Sequence, residues 1–223
     1  MWLRQWNYDL MKVHQGPCTY SPHTIDKSLY YEDIKLSKLE IDWSRKLPER
    51  MISRYQHSRR LMRQLLAPIL NCTPNEVPLY SPPGKRPYLK GNCGHISFSH
   101  SRNGALLGWS LNPIGVDVES SKRSFDARKI QRRFFPLQEQ KTLEHLQGED
   151  LRKAVLRSWV CKEAAIKWQG KSLGTDLMNW HLDTHSGHLT QVRNGLTPTY
   201  SIVEHRGWLC AVVSEKSTSI YWK

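Results

Sequence analysis

Apolar and polar positions follow two rhythms along this chain. Between Glu49 and Leu70, Tyr55, Leu61, Leu65, Leu66 and Ile69 recur at helical spacing with arginines on the other side, which predicts an amphipathic helix. Pro68 marks its end or a bend. "SPPGKRP", Ser81 to Pro87, is a turn-rich loop. "HISFS" (His95 to Ser99) and "ALLGWSL" (Ala105 to Leu111) read as two short strands joined by "HSRNG", a hairpin turn. Asn112-Pro113 breaks the chain, and a further strand follows from Ile114 to Glu119. Helical spacing returns over roughly Asp126 to Phe135, Gln138 to Leu146 and Asp150 to Gln169, the last ended by Gly170. "NWHLDT", "HLTQV", "TYSIVEH" and "WLCAVVS" then read as strands between polar turns. Helix and strand occur on both sides of Asn112. This predicts an α+β fold of two subdomains, residues 1–112 and 113–223.

Charge changes the picture. The 223 residues carry a formal net charge of +13, which predicts an anionic partner: nucleic acid, an anionic membrane surface, a phosphorylated small molecule or an acidic protein. The basic residues are unevenly spread. From Arg50 to Val116 the only acid is Glu76, against Arg50, Arg54, Arg59, Arg60, Arg63, Lys85, Arg86, Lys90 and Arg102. That cationic stretch runs directly into Asp117, as a site binding both a phosphate and a metal would need. Nine Trp residues point to substantial buried area or an aromatic-lined cleft. The five cysteines, Cys18, Cys72, Cys93, Cys161 and Cys210, include no C-x-x-C, so neither a disulfide framework nor a zinc knuckle is indicated. No apolar run is long enough to span a bilayer, and "MWLRQWNYDLMKV" lacks the clean apolar core of a signal peptide. A cytoplasmic location is expected.

The chemistry concentrates in three places. In "GVDVES" (Gly115 to Ser120), strand alternation turns Ile114, Val116 and Val118 to one face and Gly115, Asp117 and Glu119 to the other. The two carboxylates stand one pleat apart, about 7 Å between Cα atoms. They repel each other unless a cation intervenes, and magnesium takes one or two carboxylates while keeping positions for water and phosphate oxygens. Gly115 lets something bulky approach the backbone. Alone, the same pattern also fits an ordinary solvated strand face. In "SWVCKEAAIKWQGKSL" (Ser158 to Leu173), Glu163 and Lys167 share a helix face, with Lys162 and Lys171 adding charge. In "GKRPYLKGNCGHISFSHS", Lys85 sits in a Gly/Pro loop, and His100 lies between Ser99 and Ser101 at a strand end, a set of donors suited to phosphate.

Taken in order, G-K-x-P, F-S-H-S, G-V-D-V-E, W-x-x-K-E-A-x-x-K and G-K-S-L resemble the 4′-phosphopantetheinyl transferases, in particular the larger, two-subdomain type that acts on carrier proteins. "RRFF" (Arg132 to Phe135) followed by Glu139 fits the same pattern. One departure is Val160, where the family usually has a small hydroxyl residue after the motif tryptophan.

The resemblance implies two similar α/β subdomains in a pseudo-two-fold arrangement, with the active site in the cleft between them. It implies a holo-carrier-protein synthase reaction: phosphopantetheine moves from coenzyme A to a serine hydroxyl, releasing 3′,5′-ADP. Asp117, Glu119 and Glu163 would hold Mg²⁺ against the pyrophosphate. Glu163, or a metal-bound water near it, would take the serine proton. Lys167 would face the α-phosphate and stabilise or protonate the leaving ADP, with Lys162 in the same pocket. Lys85, Ser99 and His100 would contact coenzyme A, and Arg59, or Arg60 beside it, would grip the 3′-phosphate. The implied partner is an acidic apo carrier protein of fatty acid, polyketide or peptide synthesis, drawn in by the basic surface. No nucleic acid or membrane partner is expected, and the chain would act as a monomer. Two other readings compete. A metal-dependent nuclease would need E-x-K shortly after its Asp, and here Glu119 is followed by Ser120, Ser121 and Lys122. A basic nucleic-acid-binding module rests on charge alone, with no recognisable binding motif.

Overall fold

The computed structural model describes residues 9–15, 34–101, 104–171, 176–215 and 220–222, which form a mixed α+β arrangement. Arg102 and Asn103 of the expected hairpin turn, Ser172 and Leu173 of G-K-S-L, Cys18 and the first eight residues lie outside them. The chain packs as two units: the described residues up to Gln15 together with those from Ser97 onward, and those from Ile34 to Ile96. These boundaries fall elsewhere than the 112/113 division read from the sequence.

Strand β1 (Asp9–Gln15) opens the first unit. The unit ending at Ile96 then holds helices α1 (Lys38–Arg45) and α2 (Glu49–Leu70), and the short antiparallel pair β2 (Leu79–Tyr80) and β3 (Tyr88–Leu89). Helix α1 was not anticipated, although "SKLE" carries its start signal. Ser37 Oγ accepts from the Glu40 amide, and Glu40 Oε2 accepts from the Ser37 amide at 2.8 Å, which is a capping box. Helix α2 has the expected bounds. It buries Tyr55, Leu61, Met62, Leu65, Leu66 and Ala67. Pro68 is tolerated in the last turn, and the helix ends at Asn71, whose φ of 52° is left-handed.

The arginines of α2 do not all face water. Arg63 is 3 % exposed. Its Nη2 donates to Glu40 Oε2 at 3.0 Å, and Nη1 donates to the Val77 carbonyl at 2.9 Å. A guanidinium can be buried here because Glu40, a buried carboxylate of α1, neutralises it and carbonyls take its remaining donors.

The other unit continues with β4 (His95–Ser101, from Ser97 onward in this unit), β5 (Gly104–Ser110) and β6 (Ile114–Ser120). Helices α3 (Ala127–Phe134), α4 (Leu137–Thr142) and α5 (Gly148–Trp168) follow. A 3-10 turn (Leu177–Asn179) leads into β7 (Trp180–Leu182), β8 (Leu189–Gln191), β9 (Thr199–His205), β10 (Trp208–Ser214) and β11 (Ile220–Trp222). One sheet has the order β11-β1-β5-β4 and another β6-β10-β9. Leu106 of β5 packs with Ile114, Val116 and Val118 of β6 and with Cys210 and Val212 of β10. Val160, Ala164 and Ala165 of α5 pack with Leu209, Ala211 and Val213 of β10. Strand β6 is therefore covered on both sides, by β5 and by α5. No helix among the described residues is long and apolar enough to cross a membrane.

Replacing Glu40 by Ala strands the Arg63 guanidinium in a buried site. The expected loss is about 3–5 kcal/mol of unfolding free energy in denaturant titrations of the full chain. A loss below about 1 kcal/mol would show that the pair is not what makes Arg63's burial tolerable.

Candidate active site

Gly115 decides what lies over the acidic face of β6. A Cβ built there would sit 1.9 Å from the Ala164 carbonyl oxygen and 2.4 Å from the Trp168 amide nitrogen. Only glycine permits that approach, so the bulky neighbour anticipated from the sequence is the backbone of α5 itself. Ala164 and Trp168 each directly follow a functional candidate, Glu163 and Lys167. Docking the helix on Gly115 thus brings both candidates to Asp117.

Asp117 is 2 % exposed. Its Oδ1 accepts from Lys167 Nζ at 2.6 Å and from Ser99 Oγ at 2.6 Å. Lys167 Nζ also lies 3.0 Å from Ser99 Oγ and 3.8 Å from Glu163 Oε2. Asp117 Oδ2 is buried and accepts no hydrogen bond from the ionised groups around it. Such an oxygen calls for a proton or a cation. The Glu163 carboxyl is pushed up to about 8, chiefly by burial and then by the charge of Asp117, with Lys167 opposing and Glu119 adding.

Three serines of β4 brace the acidic strand at a two-residue period. Ser97 Oγ accepts from the Val116 amide at 3.0 Å, Ser99 holds Asp117, and Ser101 Oγ donates to Glu119 Oε2 at 2.7 Å. Ser99 was expected beside coenzyme A, and here it orients a carboxylate. Ser97, Ser101 and Arg123 were missed, although the S-x-S-x-S spacing of "SFSHS" signals one strand face. Arg123 Nη1 donates to Glu119 Oε1 at 2.6 Å, so both Glu119 oxygens are engaged. No group of three or more His, Cys, Asp or Glu side chains is arranged to hold a metal ion among the described residues.

Other candidates sit apart from this cluster. His100 stacks on Phe98 with ring centroids 5.7 Å apart, on the opposite pleat from Ser99. Lys162 corrects the sequence expectation: it is fully buried, with Nζ 2.6 Å from Glu139 Oε2 and 3.6 Å from the Phe135 ring centroid. The helical period turns it away from Glu163 and Lys167, and desolvation lowers its pKa to about 8. Glu139 also accepts from Ser158 Oγ and from the Leu182 amide.

In the unit ending at Ile96, Arg59 donates from Nε and Nη2 to the Ser81 carbonyl and from Nη1 to Ser58 Oγ, and it lies over Tyr55. Arg60 Nε donates to the Ile34 carbonyl at 3.1 Å. Lys85 is exposed in its loop, after Gly84 at φ 69°.

Residues 113–213, which hold β6 and α5, match the sequence model of the 4′-phosphopantetheinyl transferase superfamily. The Synechocystis sp. protein slr0495, named provisionally as a 4′-phosphopantetheinyl transferase, is 34 % identical over 128 residues, 56 % of this chain and 52 % of its own. The Nostoc sp. 4′-phosphopantetheinyl transferase HetI is 29 % identical over 152 residues, 66 % and 58 % of the two chains. Sfp of Bacillus subtilis, of the same name, is 29 % identical over 91 residues, 41 % and 40 % of the two. The similarity to the 4′-phosphopantetheinyl transferase superfamily thus covers the segment that holds Asp117, Glu163 and Lys167. The chain spans little more than half the length of the first two relatives.

Two outcomes test this geometry. Gly115→Ala forces α5 off β6, and a loss of about 1–3 kcal/mol or more is expected in denaturant unfolding. Unchanged stability would mean the helix does not rest on this residue. Glu163 supplies the second test, in chelator-containing buffer. Its raised pKa gives a stabilising contribution that is full below its unfolded value of 4.5 and is lost as pH rises through about 8. Glu163→Gln keeps the neutral form, so the variant should gain on the unmutated chain between about pH 5 and pH 9. Parallel stability profiles would contradict the raised value.

Proposed function

We propose that this chain transfers the 4′-phosphopantetheine arm of coenzyme A to a serine hydroxyl of an apo carrier protein, releasing 3′,5′-ADP. The observation that carries this reading is the Asp117–Lys167 pair, with Ser99 on Asp117 and Glu163 beside it, the three charged residues lying inside the segment similar to the superfamily. In the reaction the serine oxygen bonds to the phosphorus that carries the pantetheine arm, and the bond from that phosphorus to the ADP phosphate oxygen breaks. The serine proton passes to Glu163 or to a water beside it. The Lys167 ammonium offsets the charge left on the departing phosphate. Burial strengthens each of these interactions relative to water.

The donor set fits a divalent cation. Asp117 offers a buried, unsatisfied oxygen, and Glu163 a carboxyl close enough to feel that charge. Asp117 and Glu163 would hold Mg²⁺, with Glu119 joining on release from Arg123. Bound there, the ion would screen the charge of the diphosphate.

Finer assignments belong to the same proposal. Coenzyme A would be held by Arg59 or Arg60, Lys85, Ser99 and His100. The pseudo-two-fold layout would relate residues 1–112 to 113–223. The +13 charge would steer an acidic carrier protein and favour association at low salt.

The test is incubation with coenzyme A, Mg²⁺ and an apo carrier protein, followed by intact-mass spectrometry of the carrier. A gain of one phosphopantetheine is expected, and Asp117→Ala should slow it by about 100-fold or more while the fold persists. No gain across several carriers, or full activity in the folded variant, would overturn the assignment.

A further inference from the structure

We propose that Lys162 and Glu139 are positioning residues: a buried ion pair that fixes the rotation of α5 about its axis, and so sets where Glu163 and Lys167 stand. The inference rests on the transferase reading for its kinetic consequence, but not for its structural one. It also assigns a use to "RRFF" and the following Glu139, which the reaction itself does not employ.

Three contacts converge on Glu139. Its Oε2 pairs with Lys162 Nζ at 2.6 Å, and Oε1 accepts from Ser158 Oγ. The Leu182 amide, from β7, donates to Oε2 at 3.4 Å, and the Lys162 ammonium lies on the Phe135 ring. Glu139, Ser158, Lys162 and Phe135 are all 0–1 % exposed. Burying two charges is costly, and a hydrophobic pair of similar volume is often as stable or more so. The pair therefore needs a reason other than stability, and the helical geometry supplies one.

Ser158 and Lys162 are one turn apart and make one stripe of α5, while Glu163 and Lys167 make another. Successive helix residues are rotated by about 100°. Lys162 is thus about 100° from Glu163 and about 200° from Ala164, which rests on Gly115. The helix is gripped from nearly opposite sides, by Glu139 on one and by the β6 backbone on the other. An apolar contact tolerates small rolls of a helix, whereas an ion pair closed to 2.6 Å in a dry site does not. A roll of one residue position would carry Glu163 and Lys167 away from Asp117.

The assignment excludes Lys162 from direct contact with the nucleotide, which makes it testable. In ¹⁵N-lysine-labelled protein, with Lys162→Met to assign the signal, the Lys162 ammonium should give a slowly exchanging resonance that coenzyme A leaves in place. A fast-exchanging signal, or one that coenzyme A shifts as a direct contact would, overturns the proposal. Lys162→Met should lower kcat for transfer about 10-fold or more while KM for coenzyme A stays within about 2-fold. A rise in KM with kcat preserved would mean that Lys162 binds the nucleotide. The double variant Glu139→Leu/Lys162→Met separates positioning from stability. Its unfolding midpoint should recover while kcat stays low, and recovery of both would reduce the pair to a packing element. If the unmutated chain transfers nothing to any carrier, the transferase reading fails alone, and the ammonium resonance still decides whether Lys162 is held by Glu139.

Discussion

The site depends on one close approach of backbone to backbone. Helix α5 rests on β6 where Gly115 has no side chain, closer than any Cβ would allow. Because the two contact residues on α5 directly follow Glu163 and Lys167, the same approach that packs the helix delivers an acid and a base to Asp117. The strand then supplies the rest by alternation. Its apolar residues seal one side against β5 and β10, and Asp117 faces the cluster.

Around that contact the protein distributes charge in separate pockets of low polarity. Lys167 pairs with Asp117, and burial, followed by the charge of Asp117, keeps the Glu163 proton in place well above the ordinary carboxylate range. Arg123 and Ser101 satisfy Glu119 a pleat away. Glu139 and Lys162 form a second buried pair on another side of α5. Burial also pushes the Cys161 and Cys210 thiols up to about 12, so neither supplies a thiolate near neutral pH. Cationic charge at the cluster thus comes from Lys167, since Lys162 is committed elsewhere.

Much of this was legible in the sequence. Period-two alternation located β6, and apolar spacing located α2 and α5 to within two residues. The pairing of Asp117 with Glu163 and Lys167 followed from ordered motifs. What escaped notice was short or depended on distant partners. Strands β2 and β3 are two residues each, too brief for any rhythm, and Arg63 reads as a surface cation until Glu40 comes beside it. Lys162 shows a different limit. It adjoins a site residue in sequence, yet the helical turn sends it from Glu163. Applying the local period to every member of a motif, not only to its first residue, would have separated the two.

Strand β1 pairs in parallel with β5 over seven residues, from Asp9 opposite Gly104 to Gln15 opposite Ser110. Between the two strands the chain makes the separate unit that ends at Ile96. The sheet is thus closed by a contact of large sequence separation, and bringing its ends together from a disordered chain carries a loop-closure entropy cost. If the intervening helices collapse first, the disordered part of that loop shortens. The order of assembly then matters: a chain that tries to complete the sheet before α1 and α2 have formed leaves the backbone groups of β5 that await β1 unpaired, a template for association with other chains.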